Sequence, residues 1–197
     1  MTVEPANATL SCFGRHAASD PTYALYHDTE WGRPIHDDTA LFERVCLEGF
    51  QVGLSWRTVL HKRQAFRLAF ADFDPVVVAA FTDADVERLA NNQDIIRNRA
   101  KIRACINGAR IVNAMHQAGE TLDDLIWGAK PVHHQRPTPE TRQDTTPQSE
   151  ALAKALRQRG FRFVGPVNTY ATMQACGVVN DHFVGCIVGD TIDLNYS

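Results

Sequence analysis

The sequence predicts a mostly α protein, and three observations carry that reading. Apolar residues recur at spacings of three and four wherever a period can be read, the pattern of a helix with one buried stripe. Alternation of apolar and polar residues, which marks a half-buried strand, is nearly absent. Helix-starting Asp, Ser, Thr and Pro and helix-ending Gly punctuate the chain at short intervals, as they do where helices are brief. About seven to nine short helices are expected on these grounds, with no internal repeat.

Each element follows from its local chemistry. Asp37 or Asp38 can cap a helix whose apolar stripe is Leu41, Phe42, Val45 and Cys46, because a short acidic side chain satisfies the free amides of a first turn. Ser55 can cap a second, carrying Val59, Leu60, Phe66 and Phe70. Pro75 suits the first position of "DPVVVAAF", where its missing N–H costs nothing, and Thr82 precedes "DADVERLA". A long helix is predicted from about Ile95 to His116, with Ile95, Ile102, Ile106 and Ala109 on one side and an end near Gly119. "GAKPVHHQRPTPETRQDTTPQ", residues 128–148, holds four prolines and few apolar residues and reads as a long surface loop between two lobes. After it, Ser149 caps "EALAKALRQR", Gly160 ends that helix, "FRFV" turns, and Pro166 opens "VNTYATMQAC", closed by Gly177. The result is a helix, a short hairpin bounded by glycines, and a helix.

The 197 residues suffice for one large domain or two lobes sharing a core. A single domain over 1–197 is expected. No apolar run approaches the roughly 18 residues of a membrane span, and the N-terminus has no basic region followed by an apolar core. A cytoplasmic protein without a membrane partner is therefore expected. Five cysteines at irregular spacing argue for reduced thiols or metal ligands over a disulfide framework. Charge is uneven despite a net −3: residues 1–50 carry eight Asp/Glu against three Arg, whereas residues 95–119 hold five basic residues and no acid. Lys154, Arg157, Arg159 and Arg162 add a second basic cluster next to the hairpin. A basic face of this kind is either a nucleic-acid footprint or a solvated helix surface. Backbone amides at a helix start bounded by glycines form an anion site, and the arginines beside it favour a DNA phosphate as the anion.

Three groups of residues can carry chemistry. His182 and Cys186 in "NDHFVGC" are four apart, so on a helix both would project from one face as zinc ligands. The N-terminal segment offers the other two, Cys12 with His27 or Cys12 with His16; a filled Cys2His2 set is structural, with no open position. "DPTYALYHDTEWG" concentrates Tyr23, Tyr26 and Trp31 next to charges. "CLEGFQVGLSW" contains one carboxylate, Glu48, with nothing basic beside it, and Trp56 eight residues on. Gly49 and Gly53 supply bends to bring Glu48 and Trp56 to one cavity. Aromatic faces with one carboxylate suit a flat cationic ligand, since ring quadrupoles and negative charge both favour it.

In this order and spacing, "YHDTEWG", "LFERVCLEGFQVGLSW", "GFRFVG" leading to "YATMQACG", and "VNDHFVGC" resemble the 3-methyladenine DNA glycosylase I family over about Asp20 to Cys186. The resemblance implies a helix-hairpin-helix DNA glycosylase fold of compact helical lobes, with a zinc site joining the N- and C-terminal segments. It implies removal of 3-methyladenine from alkylated double-stranded DNA by flipping the base into an aromatic pocket. One structural zinc would be held by Cys12, His27, His182 and Cys186. Glu48 would be catalytic, with Tyr23, Tyr26, Trp31 and Trp56 around the base and Gly160, Arg162 and Gly165 against the DNA backbone. The family's Cys-Gly-Trp is here Cys12-Phe13-Gly14-Arg15-His16, so Phe13 or His16 fills the tryptophan's place.

No lysine lies between Gly160 and Ser197, so the amine nucleophile that strand cleavage needs is missing from the second hairpin helix. A monomeric, monofunctional glycosylase that leaves an abasic site is expected. Asp181 stands where superfamily relatives carry a catalytic Asp, but is expected to cap or orient the segment bearing His182. A zinc-stabilised helix-hairpin-helix DNA-binding protein without catalysis is the alternative from another class. It would have no use for Glu48 among aromatics.

Overall fold

The structure, a computed structural model, describes residues 12–13 and 19–194. These residues form eleven α-helices and one 3-10 turn, and no strand among them. The helices are α1 (Pro21–Thr29), α2 (Asp38–Gln51), α3 (Trp56–His61), α4 (Arg63–Ala69), α5 (Pro75–Ala79), α6 (Asp83–Asn91), α7 (Arg99–Gln117), α8 (Leu122–Trp127), α9 (Pro147–Gln158), α10 (Pro166–Ala175) and α11 (Ile187–Asp190). The count exceeds the expected range for two reasons. The stretch after Ser55 is two helices, broken at Lys62, and α1, α8 and α11 carry too little periodicity to be read from sequence.

Helix α2 is the hub. Every residue from Leu41 to Phe50 is buried, which marks a helix surrounded by others. Its start is fixed twice. Asp37 caps it, accepting from the Ala40 amide at 2.8 Å, while Asp38 reaches across to the Leu122 and Asp123 amides at the head of α8. Phe42, Phe50, Phe66, Phe70 and Phe73 form the densest part of the main core, joined by Leu89, Ile102 and Ile126. Fully burying such side chains contributes about 1.5–3 kcal/mol each, so this cluster supplies the rigidity on which the site is mounted.

Helix α7 begins at Arg99, capped by Asn98, rather than at Ile95; Ile95 is buried just ahead of it, where the Asn92 side chain binds the Asp94 amide and shapes a turn. Gly108 in this helix makes room for the hairpin, since a Cβ there would lie 3.1 Å from Phe42 and 3.3 Å from Phe161. The cap of helix α9 lies three residues before the expected one. Thr146 is the N-cap and Pro147 the first helical residue, with Ser149 completing a reciprocal capping box.

The predicted loop is irregular over 128–146, its last two residues belonging to α9, yet it is pinned down. Arg136 donates to the carbonyls of His182 (2.9 Å), Phe183 (2.6 Å) and Cys186 (3.0 Å), and the Val184 amide donates to the Pro137 carbonyl at 2.9 Å. His182 and Cys186 are not helical. They flank a tight turn in which the Cys186 amide donates to the Phe183 carbonyl at 2.9 Å, and the turn, not a helix face, brings them together. No helix among the described residues is long and apolar enough to cross a membrane.

Candidate active site and metal cluster

The site forms where α1, α2 and α3 meet. Asp20 caps α1 and also accepts from Arg57 at 2.6 Å and His61 at 2.7 Å, tying α1 to α3. This sets Tyr26 against Trp56, ring centroids 5.4 Å apart and tilted by 46°. Gly53 turns the chain between α2 and α3 at a φ of +81°, a conformation that costs glycine nothing. Gly49, the other predicted bend, lies within regular helix; a Cβ there would lie 3.6 Å from Phe163 of the hairpin.

Glu48 is 3% exposed, and its Oε2 has no hydrogen-bond partner. Burial pushes its carboxyl up to about 8, against the opposing pull of Arg44. Glu48 therefore does have a basic neighbour, one helical turn upstream and outside the eleven-residue stretch in which none is found. Its charge acts on the aromatic wall: burial, then Glu48, raises Tyr23, and Glu48 also adds to the rise at Tyr26. Trp56 Nε1 is a second buried group without a partner. A buried donor and a buried acceptor left unpaired are expensive unless something completes them.

Phe13 completes the wall. It stacks on Tyr23 at 4.6 Å and 11°, and meets Trp31 edge-on at 4.8 Å. Of the two candidates for the tryptophan's place, Phe13 lies on this wall, and His16 lies outside the described residues. Trp31 faces the other way as well, 4.6 Å from the His182 ring. The chain just beyond it packs against Gly177, whose φ is +72° and where a Cβ would lie 2.4 Å from the Arg33 carbonyl carbon.

Behind the wall runs a partly buried ion network that the sequence did not reveal. Glu43 accepts two bonds from Arg63 and two from Arg67, and Glu30 accepts from Arg44 at 2.8 Å and Arg63 at 2.6 Å. Burial alone would raise Glu43, but the Arg63 and Arg67 bonds outweigh it and hold the carboxyl at about 2.

Cys12, His27, His182 and Cys186 converge, all buried, with their ligand atoms within 4.8 Å of one another. A tetrahedral ion with bonds of about 2.0–2.3 Å separates its ligands by roughly 3.3–3.8 Å. The observed separations are 3.2 Å between the two histidines, 3.5 and 3.7 Å from Cys186 to His182 and His27, and 3.7 Å from Cys12 to His182. Each histidine's other nitrogen is held, His27 Nδ1 by Asp28 at 2.8 Å and His182 Nε2 by the Trp31 carbonyl at 3.0 Å. That is how ligating imidazoles are oriented. Burial lowers His182 to about 4, keeping it in the neutral form a metal needs. This group can hold a metal ion.

In the hairpin, Gly160 takes a φ of +99° and Phe163 one of +57°, and α10 starts at Pro166 with no side-chain cap. Of the arginines beside it, Arg157 bonds the Val164 carbonyl and Arg159 pairs with Glu120, leaving Arg162 exposed at the turn. The basic run 95–119 is largely tied down too: Arg99 pairs with Glu87, Arg103 with Asp83, and Arg110 and Lys101 bond carbonyls. Asp181 accepts from Tyr170 and Gln174 at 2.7 Å each and pairs with His134 at 2.9 Å, so it ties α10 and the proline-rich loop to the His182 turn.

Among the described residues, an all-helical fold thus holds a buried carboxylate that acts on Tyr23 and Tyr26, beside a Cys/His cluster. The family model described as methyladenine glycosylase matches residues 16–189, and the chain belongs to that family. It is 51% identical over 177 residues to DNA-3-methyladenine glycosylase 1 of Escherichia coli, spanning 86% of this chain and 92% of that one. It is 44% identical to DNA-3-methyladenine glycosylase of Haemophilus influenzae, over 83% and 90% of the two chains. Among solved structures, a tyrosine-to-phenylalanine variant of 3-methyladenine DNA glycosylase I in complex with 3-methyladenine matches with a TM-score of 0.82 at 35% identity, over 86% of this chain and 93% of that one.

Proposed function

We propose that this protein repairs alkylated double-stranded DNA by hydrolysing the N-glycosidic bond of 3-methyladenine. The observation that carries the reading is Glu48, buried, unpartnered at Oε2 and acting electrostatically on Tyr26, whose ring lies 5.4 Å from that of Trp56. A methylated adenine linked to its sugar is cationic. Leaving the duplex costs a few kcal/mol, and the aromatic wall with one carboxylate returns that cost selectively to a cation. Tyr26 and Trp56 stack on the flipped base, Tyr23 and Trp31 border it, and Glu48 accepts from its edge. The C1′–N bond breaks with its electron pair moving to the base, which leaves neutral. Water bonds to C1′, losing its proton to solvent, and an abasic site remains.

The hairpin from Gly160 to Gly165, with Arg162, holds the DNA backbone. Zinc is the metal that two thiolates and two imidazoles in a closed tetrahedral set favour, and its role here is structural, joining the two ends of one domain. The enzyme acts as a monomer in the cytoplasm. The decisive assay is release of free 3-methyladenine from methylated duplex DNA. Glu48→Gln should lose most of the activity; excision at the wild-type rate would remove Glu48 from the mechanism.

A further inference from the structure

Beside Glu48 stands a cation that base recognition does not by itself require, since a positive group opposes a positive ligand. Arg44 is 3% exposed, and its guanidinium carbon lies 5.6 Å from the Tyr26 ring centroid. Nη2 bonds Glu30, while Nε and Nη1 have no partner. Arg44 precedes Glu48 by four residues on α2, the spacing that makes helical side chains neighbours. Two opposite charges, each short of hydrogen bonds, thus share a buried space where charge interactions are stronger than in water. Glu30, Glu43 and Glu48 also balance Arg44, Arg63 and Arg67, so the cluster is neutral when Glu48 is ionised.

We propose that Arg44 is a positioning residue that sustains the carboxylate form of Glu48 and steadies the Tyr26 ring, so that the empty pocket is preset for a cationic base. The inference rests on the reading of Glu48 as the base-binding carboxylate. The other ionisable groups that couple to Glu48 are Tyr23 and Tyr26 on α1 and Cys176 at the end of α10, all acids whose ionisation would work against it. Arg63 acts on Tyr26 from α4 but is committed to Glu43 and Glu30. Arg44 is the group that lowers the Glu48 carboxyl. Removing a nearby opposite charge moves a carboxyl by about one pH unit or more. The ionised fraction of the pocket at pH 7, and with it the apparent affinity for a cation, then falls about tenfold.

The test is the pH profile of kcat/KM on 3-methyladenine duplex for wild type, Arg44→Met, Arg44→Gln, Arg44→Lys and Glu48→Gln. The wild-type acid limb should turn near pH 8. Arg44→Met should move it about one pH unit to the alkaline side, with the loss at pH 7 carried by KM, and Arg44→Lys should restore it. Arg44→Gln, which can still bond Glu30, gives the same readout if the methionine variant does not fold. A limb unmoved in the neutral variants overturns the proposal. If Glu48→Gln abolishes the limb while Arg44→Gln leaves it in place, only the role of Arg44 falls. If Glu48→Gln keeps the limb, the reading of Glu48 falls with it.

Discussion

Replacing Glu48 by glutamine should stabilise the protein while disabling it, and the two effects should follow the same titration. Burial raises the Glu48 carboxyl from its ordinary 4.5 to about 8. The folded state therefore binds one more proton than the unfolded chain between those values. Stability must fall as pH rises through that window, because the slope follows the protons bound unfolded minus those bound folded. Each pH unit of displacement is worth about 1.4 kcal/mol, so ionised Glu48 costs the fold about 5 kcal/mol above pH 8 and nothing below about pH 4. Glutamine has nearly the same shape and no charge to desolvate. Urea unfolding at pH 5, 7 and 9 should show the variant matching wild type at pH 5 and exceeding it by several kcal/mol at pH 9. Single-turnover excision in the same buffers should show the opposite ranking, with wild-type kcat/KM rising about tenfold per pH unit below 8 and the variant flat and low. A variant less stable than wild type at pH 9 would refute the burial argument.

Three further outcomes are expected. Elemental analysis of the purified protein should find one zinc per chain, and Cys186→Ser should lose it, with Tm falling by about 10 °C as several kcal/mol of stabilisation disappear. Arg162→Ala should weaken duplex binding about threefold to tenfold and flatten the slope of log affinity against log salt by about one, whereas Arg103→Ala, which breaks an internal pair with Asp83, should leave that slope unchanged. Borohydride should trap no protein–DNA adduct during turnover; efficient trapping would show an amine nucleophile and strand cleavage.

Features set by neighbours in sequence could be read before the fold was known. Asp37, Ser55 and Pro75 start helices as expected because a cap acts on amides two or three residues away. The helix, hairpin and helix around Gly160 and Gly165 were legible for the same reason. Features that depend on distant partners were not. Arg136 looks like one more charge in a proline-rich loop, yet it gathers carbonyls some fifty residues later in the chain. The basic run 95–119 suggested a footprint, but Arg103 meets Asp83 and Lys101 meets the end of α2. His182 and Cys186 had the right spacing with the wrong geometry in view, since a tight turn serves four residues as well as a helix does. Arg44 was in plain sight one turn before Glu48, and only burial of both reveals that they form a unit.

Cys12 and Phe13 are adjacent, and the two belong to different structures: one supplies sulfur to the Cys/His cluster, the other a ring to the aromatic wall. A single peptide bond therefore ties the sulfur of the cluster to the ring of the wall, so a displacement of one is passed to the other. Occupying the pocket should slow escape of the ion, and chelators or thiol oxidants should blunt discrimination between damaged and normal bases before they unfold the chain.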